Sequence, residues 1–190
     1  MKVFAVNGSP RHEGNTFKML NTVLDVCKAA GFETEIFQAG GRVVRGCMAC
    51  GYCAKNAGKC AIDDWMQEVI EKMREADAIL LGSPTYFSDL TPEMKAVIDR
   101  AGYTTRRGGL DSFSRKIGAA VTAAYRAGDI HTLNSMQHFF LINNMFVAGS
   151  SYWNMSLAGA VGDYERDVQG VETMERLGEN IVWLLRKIHG

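Results

Sequence analysis

The chain has 190 residues, with 21 basic and 21 acidic side chains, so its formal net charge at pH 7 is zero. A balanced charge gives no global attraction to nucleic acid or to an anionic membrane surface, so neither is expected as a partner. No apolar run approaches the roughly 20 residues that span a bilayer, and no signal peptide is visible, which favours a cytoplasmic protein. The length suits a single domain, residues 1–190, with a full hydrophobic core.

The first predicted strand, Lys2–Val6, leads into a polar loop over residues 8–16 and then a helix over Thr16–Ala30. Backbone N–H groups at a helix N-terminus favour an anion, and glycine lets a ligand approach the backbone closely. The loop adds four polar side chains that suit a phosphate: Ser9, Arg11, Asn15 and Thr16. It lacks the patterns typical of nucleoside triphosphate and dinucleotide sites, so a mononucleotide such as FMN fits better. The alternative is an ordinary strand-to-helix turn with Asn15 or Thr16 as N-cap.

A second strand, Glu33–Phe37, and a flexible approach over residues 39–41 lead into a cysteine-rich loop, residues 46–62. Four cysteines there follow the pattern C-x2-C-x2-C-x6-C: Cys47, Cys50, Cys53 and Cys60. In a cytoplasmic chain such clustering indicates metal or cluster ligation rather than disulfides. Three thiolates on one compact loop with a fourth nearby suit a [4Fe–4S] cluster. The alternatives are free or redox-exchanging thiols, and zinc, which usually takes two separated C-x2-C pairs.

A helix over Trp65–Glu75 precedes the continuous apolar run Ala78–Gly82, which is typical of a central strand covered on both faces. The loop after this strand presents Pro84, Thr85, Tyr86 and Phe87. An aromatic loop suits the planar face of an isoalloxazine ring. The alternative is that Tyr86 and Phe87 merely pack under the next helix, which Pro92 begins.

The fourth predicted strand, Lys116–Thr122, is followed by a helix over Ile130–Asn144 and a short fifth strand, Met145–Gly149. Residues 150–168 are predicted to form a long functional loop or lid, and Gly170–Ile188 the last helix.

The loop after the fourth strand offers a second wall for a ring. Ala124 and Tyr125 are the candidate contacts, and Arg126 could stabilise negative charge on a reduced flavin. A solvated surface cation is the alternative for Arg126.

Five strands that alternate with helices predict an α/β fold in three layers, with a doubly wound, five-stranded parallel sheet. In such sheets, ligands bind beyond the carboxyl ends of the strands. The loops over residues 8–16, 83–88 and 122–129 are therefore expected to meet in one site.

Three motifs together resemble a known family: Gly-Ser-Pro-Arg-x-x-Gly-Asn-Thr over residues 8–16, Ser-Pro-Thr-Tyr-Phe over residues 83–87, and the cysteine run. The chain is similar to iron–sulfur flavoproteins, which are flavodoxin-like members of the NAD(P)H-dependent FMN reductase superfamily. One departure is that residues 123–129 lack the Gly-Gly-Gln pattern that many members carry in this loop.

The resemblance implies one FMN per subunit, with its phosphate held by the four polar residues of the first loop and its ring against residues 84–87. It also implies that Cys47, Cys50, Cys53 and Cys60 ligate a [4Fe–4S] cluster. It further implies a homodimer or homotetramer with the flavin at a subunit interface, and ferredoxin as electron donor.

Three functions follow as hypotheses. The first is an FMN-dependent oxidoreductase that transfers electrons between ferredoxin or NAD(P)H, a cluster, FMN and a small acceptor. The second is an NAD(P)H-dependent flavin, quinone or nitro-compound reductase without a functional cluster. The third is a non-enzymatic thiol or metal redox sensor on a flavodoxin-like scaffold.

Overall fold

The computed structural model describes all residues from Met1 to Gly190. Its six strands are Lys2–Asn7 (β1), Glu33–Gln38 (β2), Ala78–Pro84 (β3), Ile117–Ala124 (β4), Phe146–Val147 (β5) and Met155–Leu157 (β6). Its helices are Asn15–Ala29 (α1), Tyr52–Lys55 (α2), Met66–Glu75 (α3), Pro92–Arg107 (α4), Asp129–Ile142 (α5) and Val168–His189 (α6), with a 3-10 turn over Tyr164–Arg166.

All strand pairs are parallel, and the order across the sheet is β2-β1-β3-β4-β5. This order defines a flavodoxin-like doubly wound sheet, which confirms the predicted fold class. The chain reverses its direction of winding between β1 and β3, so the loops after these two strands flank a crevice at the carboxyl edge.

The pairing of the outer edge of β4 differs from the prediction of a single fifth strand at this position. Residues 117–118 of β4 pair with β5, whereas residues 122–124 pair with β6, so two short strands share the position of one. The prediction that residues 150–168 form only a loop is therefore wrong for Met155–Leu157. Three residues are too few to display a period of two, and the polar and aromatic residues around them concealed the strand.

The core has two halves, one on each face of the sheet. One half lies between the sheet and helices α1 and α6, and the other lies between the sheet and helices α3, α4 and α5. Strands β3 and β4 are buried along almost their whole length, as the unbroken apolar runs predicted.

None of the helices combines the length and the apolar character needed to cross a membrane.

Candidate functional site

A cavity of about 170 Å³ opens at the carboxyl edge of the sheet, between the loops after β1, β3 and β4. Eight of the ten residues predicted to bind a cofactor line it: Ser9, Arg11, Asn15, Thr16, Pro84, Thr85, Tyr86 and Tyr125. Three further lining residues, Ala123, Ala158 and Gly159, were not predicted. The sequence did suggest a functional role for the segment that contains the last two, but no residue pattern singled them out.

Helix α1 begins beside this cavity without a capping side chain. Its N-cap is Gly14, which has no side chain to accept a hydrogen bond, and no acidic residue lies in the first turn. Neither Asn15 nor Thr16 is the N-cap, so the assignment of either residue as the cap of this helix is wrong. The first backbone N–H groups of a helix have no intrahelical acceptor, so this end of α1 offers donors and a positive dipole end to an anion.

The side chain of Asn15 is used differently from the prediction of a phosphate donor. Its amide nitrogen donates to the carbonyl oxygens of Ala158 at 3.1 Å and Ala160 at 2.7 Å. Its amide oxygen accepts the backbone N–H groups of Gly162 at 3.2 Å and Tyr164 at 3.4 Å. Asn15 therefore fixes the segment over residues 158–164 as one wall of the cavity, and only its backbone N–H group remains for a bound anion.

Arg11 is an exposed cation at the rim of the cavity. Its Nη1 donates to the carbonyl oxygen of Gly159 at 2.8 Å, so the guanidinium bridges the first loop and the segment after β6. Gly159 in turn packs against the ring of Tyr125, and a Cβ on Gly159 would lie 2.4 Å from Tyr125 Cδ2. The cation and the aromatic wall are thus held by the same short segment.

Residues 39–41, which join β2 to the cysteine-rich loop, were predicted to be flexible. They are instead closely packed beneath the loop over residues 8–16. The N–H groups of Ala39 and Gly40 both donate to the Asn7 carbonyl oxygen at 2.9 Å. A Cβ on Gly40 would lie 2.2 Å from the carbonyl carbon of Ser9. Gln38 Nε2 also donates to the Ser9 carbonyl oxygen at 2.6 Å. Glycine is required here because two backbone segments meet, and the contact supports the loop from below.

The aromatic side chains of the site are largely open to solvent. Tyr86 is about half exposed, while Tyr125 and Phe87 are mostly or fully exposed. Phe87 lies at the tip of its loop and does not line the cavity, so its packing under the next helix is excluded. Partial burial raises the pKa of the Tyr86 phenol; the charge of Arg11 opposes this shift, and that of Glu93 reinforces it.

Three other residues considered from the sequence are used differently from the prediction. The hydroxyl of Thr85 hydrogen-bonds to those of Thr122 and Thr132, at 3.2 and 3.0 Å, so this hydroxyl anchors its loop to the core. Ala124 is buried in the pairing of β4 with β6 and does not line the cavity. Arg126 lines a neighbouring cavity of about 330 Å³, together with Tyr152 and Trp153.

The four clustered cysteines meet at a second location, on the side of α4. Cys47, Cys50, Cys53 and Cys60 all line one small cavity of about 30 Å³, with Arg100 and Tyr103 of α4. The fifth cysteine, Cys27, is buried in the core, where burial raises the pKa of its thiol to about 12. The sequence therefore separated the clustered thiols from the core thiol correctly.

Local backbone conformation brings these thiols around the cavity. Helix α2 follows Gly51, which has a left-handed backbone conformation, and it places Cys53 with its Sγ 3.7 Å from the Tyr103 carbonyl oxygen. The N–H group of Ala49 donates to Cys47 Sγ at 3.4 Å. The far end of the loop lies against the end of α4, where a Cβ on Gly108 would approach Gly58 Cα to 2.4 Å.

The donor set consists only of thiols, which is typical of iron–sulfur clusters and of four-cysteine zinc sites. No three His, Cys, Asp or Glu side chains are arranged to hold a single metal ion, although all four cysteines share a cavity. A zinc ion collects its sulfur ligands at about 2.3 Å from one point. A cluster instead binds one thiolate at each of four irons, so the absence of a single-ion arrangement does not count against a cluster, whose ligands this all-thiol donor set matches in chemistry.

The comparisons with known proteins agree with this geometry. A model of the NADPH-dependent FMN reductase family matches residues 1–160. An iron–sulfur flavoprotein of Methanocaldococcus jannaschii is 34% identical over 200 residues, which cover 99% of each chain. An iron–sulfur flavoprotein of Methanosarcina thermophila is 31% identical over 191 residues, which cover 99% of this chain and 97% of the relative.

Among solved structures, that of RosB with a bound 8-demethyl-8-formylriboflavin-5'-phosphate intermediate is similar in fold. Its TM-score is 0.78 at 16% sequence identity, and the match covers 99% of this chain and 80% of RosB. The chain thus belongs to the NADPH-dependent FMN reductase family, and within it to the iron–sulfur flavoproteins. Membership makes it an FMN-dependent oxidoreductase, as the sequence predicted.

Proposed function

We propose that this protein binds FMN in the cavity at the carboxyl edge and a [4Fe–4S] cluster at the four clustered cysteines. It then transfers electrons between a reduced donor and a small acceptor. The observation that carries the proposal is the uncapped start of α1, which opens with Arg11 into a cavity walled by aromatic side chains. Such an arrangement suits a ligand with an anionic tail and a planar ring.

The phosphate is assigned to the first loop. The backbone N–H groups at the start of α1 provide donors, and Ser9 and Thr16 line the same cavity. Arg11 adds a positive charge at the rim. Its bond to the Gly159 carbonyl oxygen holds the guanidinium across the opening, where it can also bond to a phosphate oxygen. Asn15 contributes indirectly, because it fixes the wall opposite this loop.

The ring is assigned to the space between the loops after β3 and β4. Pro84 and Tyr86 line one side, and Tyr125 the other. Bound FMN would supply the ability to take up and release one or two electrons. The ordinary pKa of a tyrosine phenol already lies above physiological pH, and partial burial raises the pKa of Tyr86 further, so this side chain is neutral and adds no negative charge beside a reduced ring.

The cluster is assigned to Cys47, Cys50, Cys53 and Cys60, and it would supply a one-electron carrier on the α4 side of the fold. The donor is a reduced ferredoxin or a reduced nicotinamide. With NAD(P)H and a quinone, the overall reaction converts NAD(P)H, a proton and the quinone into NAD(P)⁺ and the hydroquinone. With reduced ferredoxin, two one-electron donors and two protons give the same product.

A homodimer or homotetramer that meets at the aromatic loops is part of this proposal. Phe87 and Tyr125 project into solvent beside the cavity, and Trp153 is also more than half exposed. Exposed aromatic side chains of this size are enriched where subunits meet.

The test is an oxygen-free ultraviolet–visible spectrum of the purified protein, combined with iron and sulfide analysis. We expect flavin absorbance with an added broad cluster absorbance, and about four iron and four sulfide per chain. Protein that lacks flavin and does not bind added FMN would contradict the flavin assignment. Flavin-loaded protein with far less iron and sulfide would contradict only the cluster.

A second candidate function is an NAD(P)H-dependent flavin, quinone or nitro-compound reductase without a cluster. It is favoured by the match of residues 1–160 to the NADPH-dependent FMN reductase family, a family name that implies no cluster. This reductase would be reduced rapidly by NAD(P)H and contain no iron. A thiol or metal redox sensor would differ from both, because it would show no turnover with any donor.

A further inference from the structure

Arg100 is a buried charge at the cysteine cavity that the proposed function does not yet use. It is the largest fully buried side chain in the protein, and its guanidinium lies on the face of α4 that lines the cavity. A buried charge requires a partner of opposite sign and hydrogen bonds for its N–H groups. Its partners therefore indicate what the side chain does.

The first set of partners joins both ends of the cysteine loop to α4. Nη1 and Nη2 donate to the two carboxylate oxygens of Asp64 at 2.6 and 2.7 Å. The same nitrogens donate to the carbonyl oxygens of Arg45 and Ile62, each at 3.3 Å. Arg45 precedes the first clustered cysteine and Ile62 follows the last, so one guanidinium closes the loop at its base.

The second contact reaches a candidate ligand directly. Nη2 lies 3.4 Å from Sγ of Cys60, and this hydrogen bond is the only one between a cationic side chain and a clustered cysteine. Nε is also buried and has no partner within the chain. Arg107, which lines the same cavity, instead lies over the ring of Tyr103 at 5.5 Å.

We propose that Arg100 is a positioning residue that orients the Cys60 sulfur toward the cavity and raises the reduction potential of the cluster bound there. This inference rests on the proposed cluster at the four cysteines. An N–H donor and a positive charge beside a thiolate ligand stabilise the reduced cluster more than the oxidised one, because the reduced cluster carries one more negative charge. The bond also holds the sulfur in one orientation, which slows the loss of iron.

A purely structural role for Arg100 would have a different consequence. A side chain that only closes the loop would change protein stability and cluster loading when replaced, but it would leave the potential of loaded protein unchanged. The cluster midpoint potential therefore separates the two roles.

The experiment compares three variants in oxygen-free redox titrations followed by electron paramagnetic resonance. Arg100→Met with Asp64→Leu removes the buried pair together, which folds more readily than an unpaired buried charge. We expect a potential below that of the wild type, and cluster loss to a chelator about tenfold to a hundredfold faster. Asp64→Asn keeps the Arg100 contact to Cys60 and removes the opposing negative charge, so its potential should shift upward.

Arg107→Gln is the matched control, because it removes an arginine of the same cavity that makes no hydrogen bond to a cysteine. Because the charge of Arg107 is exposed to solvent and screened, the potential of this variant should shift less than that of the double variant. Wild-type potentials in both Asp64→Asn and the double variant would overturn the inference while leaving the proposed cluster intact. If the double variant does not fold, an unchanged potential in Asp64→Asn is sufficient to overturn it. Wild-type protein without iron would instead overturn the cluster and this inference together.

Discussion

The side-chain nitrogen of Asn15 lies 2.7 Å from the carbonyl oxygen of Ala160, a residue 145 positions further along the chain. Together with its three other hydrogen bonds, this contact makes Asn15 the link between the start of α1 and the segment after β6. The cavity at the carboxyl edge therefore has a wall that depends on one amide side chain. This dependence can be measured.

Asn15→Ala should weaken FMN binding about tenfold or more, because the wall over residues 158–164 is released. It should also lower the free energy of unfolding by about 1–3 kcal/mol, since buried backbone groups lose their partner. Flavin fluorescence titration of the apoprotein and urea unfolding measure the two effects.

Tyr164→Phe is the matched control on the same segment. It removes one hydrogen bond to Thr22 at 2.8 Å but leaves the Asn15 contacts in place. A stability loss of about 1 kcal/mol with unchanged FMN affinity is expected. Equal losses of FMN affinity in both variants would contradict the specific role of Asn15.

Arg11→Gln should reduce FMN affinity about tenfold to a hundredfold, because a charge-assisted hydrogen bond to the phosphate is lost. Riboflavin, which has no phosphate, should bind the variant and the wild type alike. Titrations with both flavins at two salt concentrations measure this difference. Arg126→Gln, in the neighbouring cavity, is the control. An equal loss of riboflavin affinity in Arg11→Gln would show that Arg11 acts on the wall rather than on the phosphate.

Gly40→Ala should destabilise the protein severely, by about 1–3 kcal/mol or more, because the new methyl group would meet the backbone of Ser9. The first loop would have to shift, so FMN affinity should fall as well. Gly46→Ala is a suitable control, since a Cβ there meets nothing within 4 Å. Urea unfolding of the two variants provides the comparison, and normal stability in Gly40→Ala would contradict the close packing described above.

Alkaline pH should destabilise the fold through Cys27. Burial raises the pKa of its thiol from 9.0 to about 12, so the folded state keeps a proton that the unfolded state releases above pH 9. The stabilising contribution is complete below pH 9 and is lost as pH rises toward 12, with a slope that approaches about 1.4 kcal/mol per pH unit. Cys27→Ala should show a shallower fall in unfolding free energy over this range. An identical slope in the two proteins would exclude this cause.

Phe87→Ser should weaken the proposed assembly without lowering the stability of the subunit, because this ring is fully exposed. Sedimentation velocity at several protein concentrations measures the assembly. Trp183→Ser removes another exposed aromatic ring, beside Val26 and Ala30 at the far end of α1, and should leave the assembly unchanged. An unchanged sedimentation coefficient for Phe87→Ser at all concentrations would place the interface elsewhere.

The sequence predicted the parts of the fold in which periodicity is strong. The apolar runs of β1, β3 and β4 and the amphipathic helices between them indicated which segments form the sheet and which form its covering layers. The loops at residues 8–16 and 83–87 were identified from glycine, proline and polar side chains at the ends of strands. Each of these signals lies within a short stretch of sequence, so it can be recognised without knowledge of the folded structure.

Long-range contacts were not predictable in the same way. Asn15 was interpreted as a phosphate donor because nothing near it in the sequence indicates its bonds to residues 158–164. The packing of Gly40 against Ser9 and the bonds from Arg100 to Asp64 and Cys60 also join distant segments. Such contacts form because the parallel sheet brings distant loops together. The periodic pattern of the sequence does not indicate which loops will meet.

The divided partner of β4 has a consequence for contacts between molecules. A continuous outer strand would expose a full row of backbone N–H and C=O groups, to which a strand of another molecule could add. Here the outer position is occupied by two strands of two and three residues, and the chain leaves the sheet between them. So short and interrupted a rim is a poor template for intermolecular β-pairing. At this edge, copies of the protein should therefore associate through side chains rather than by extending the sheet.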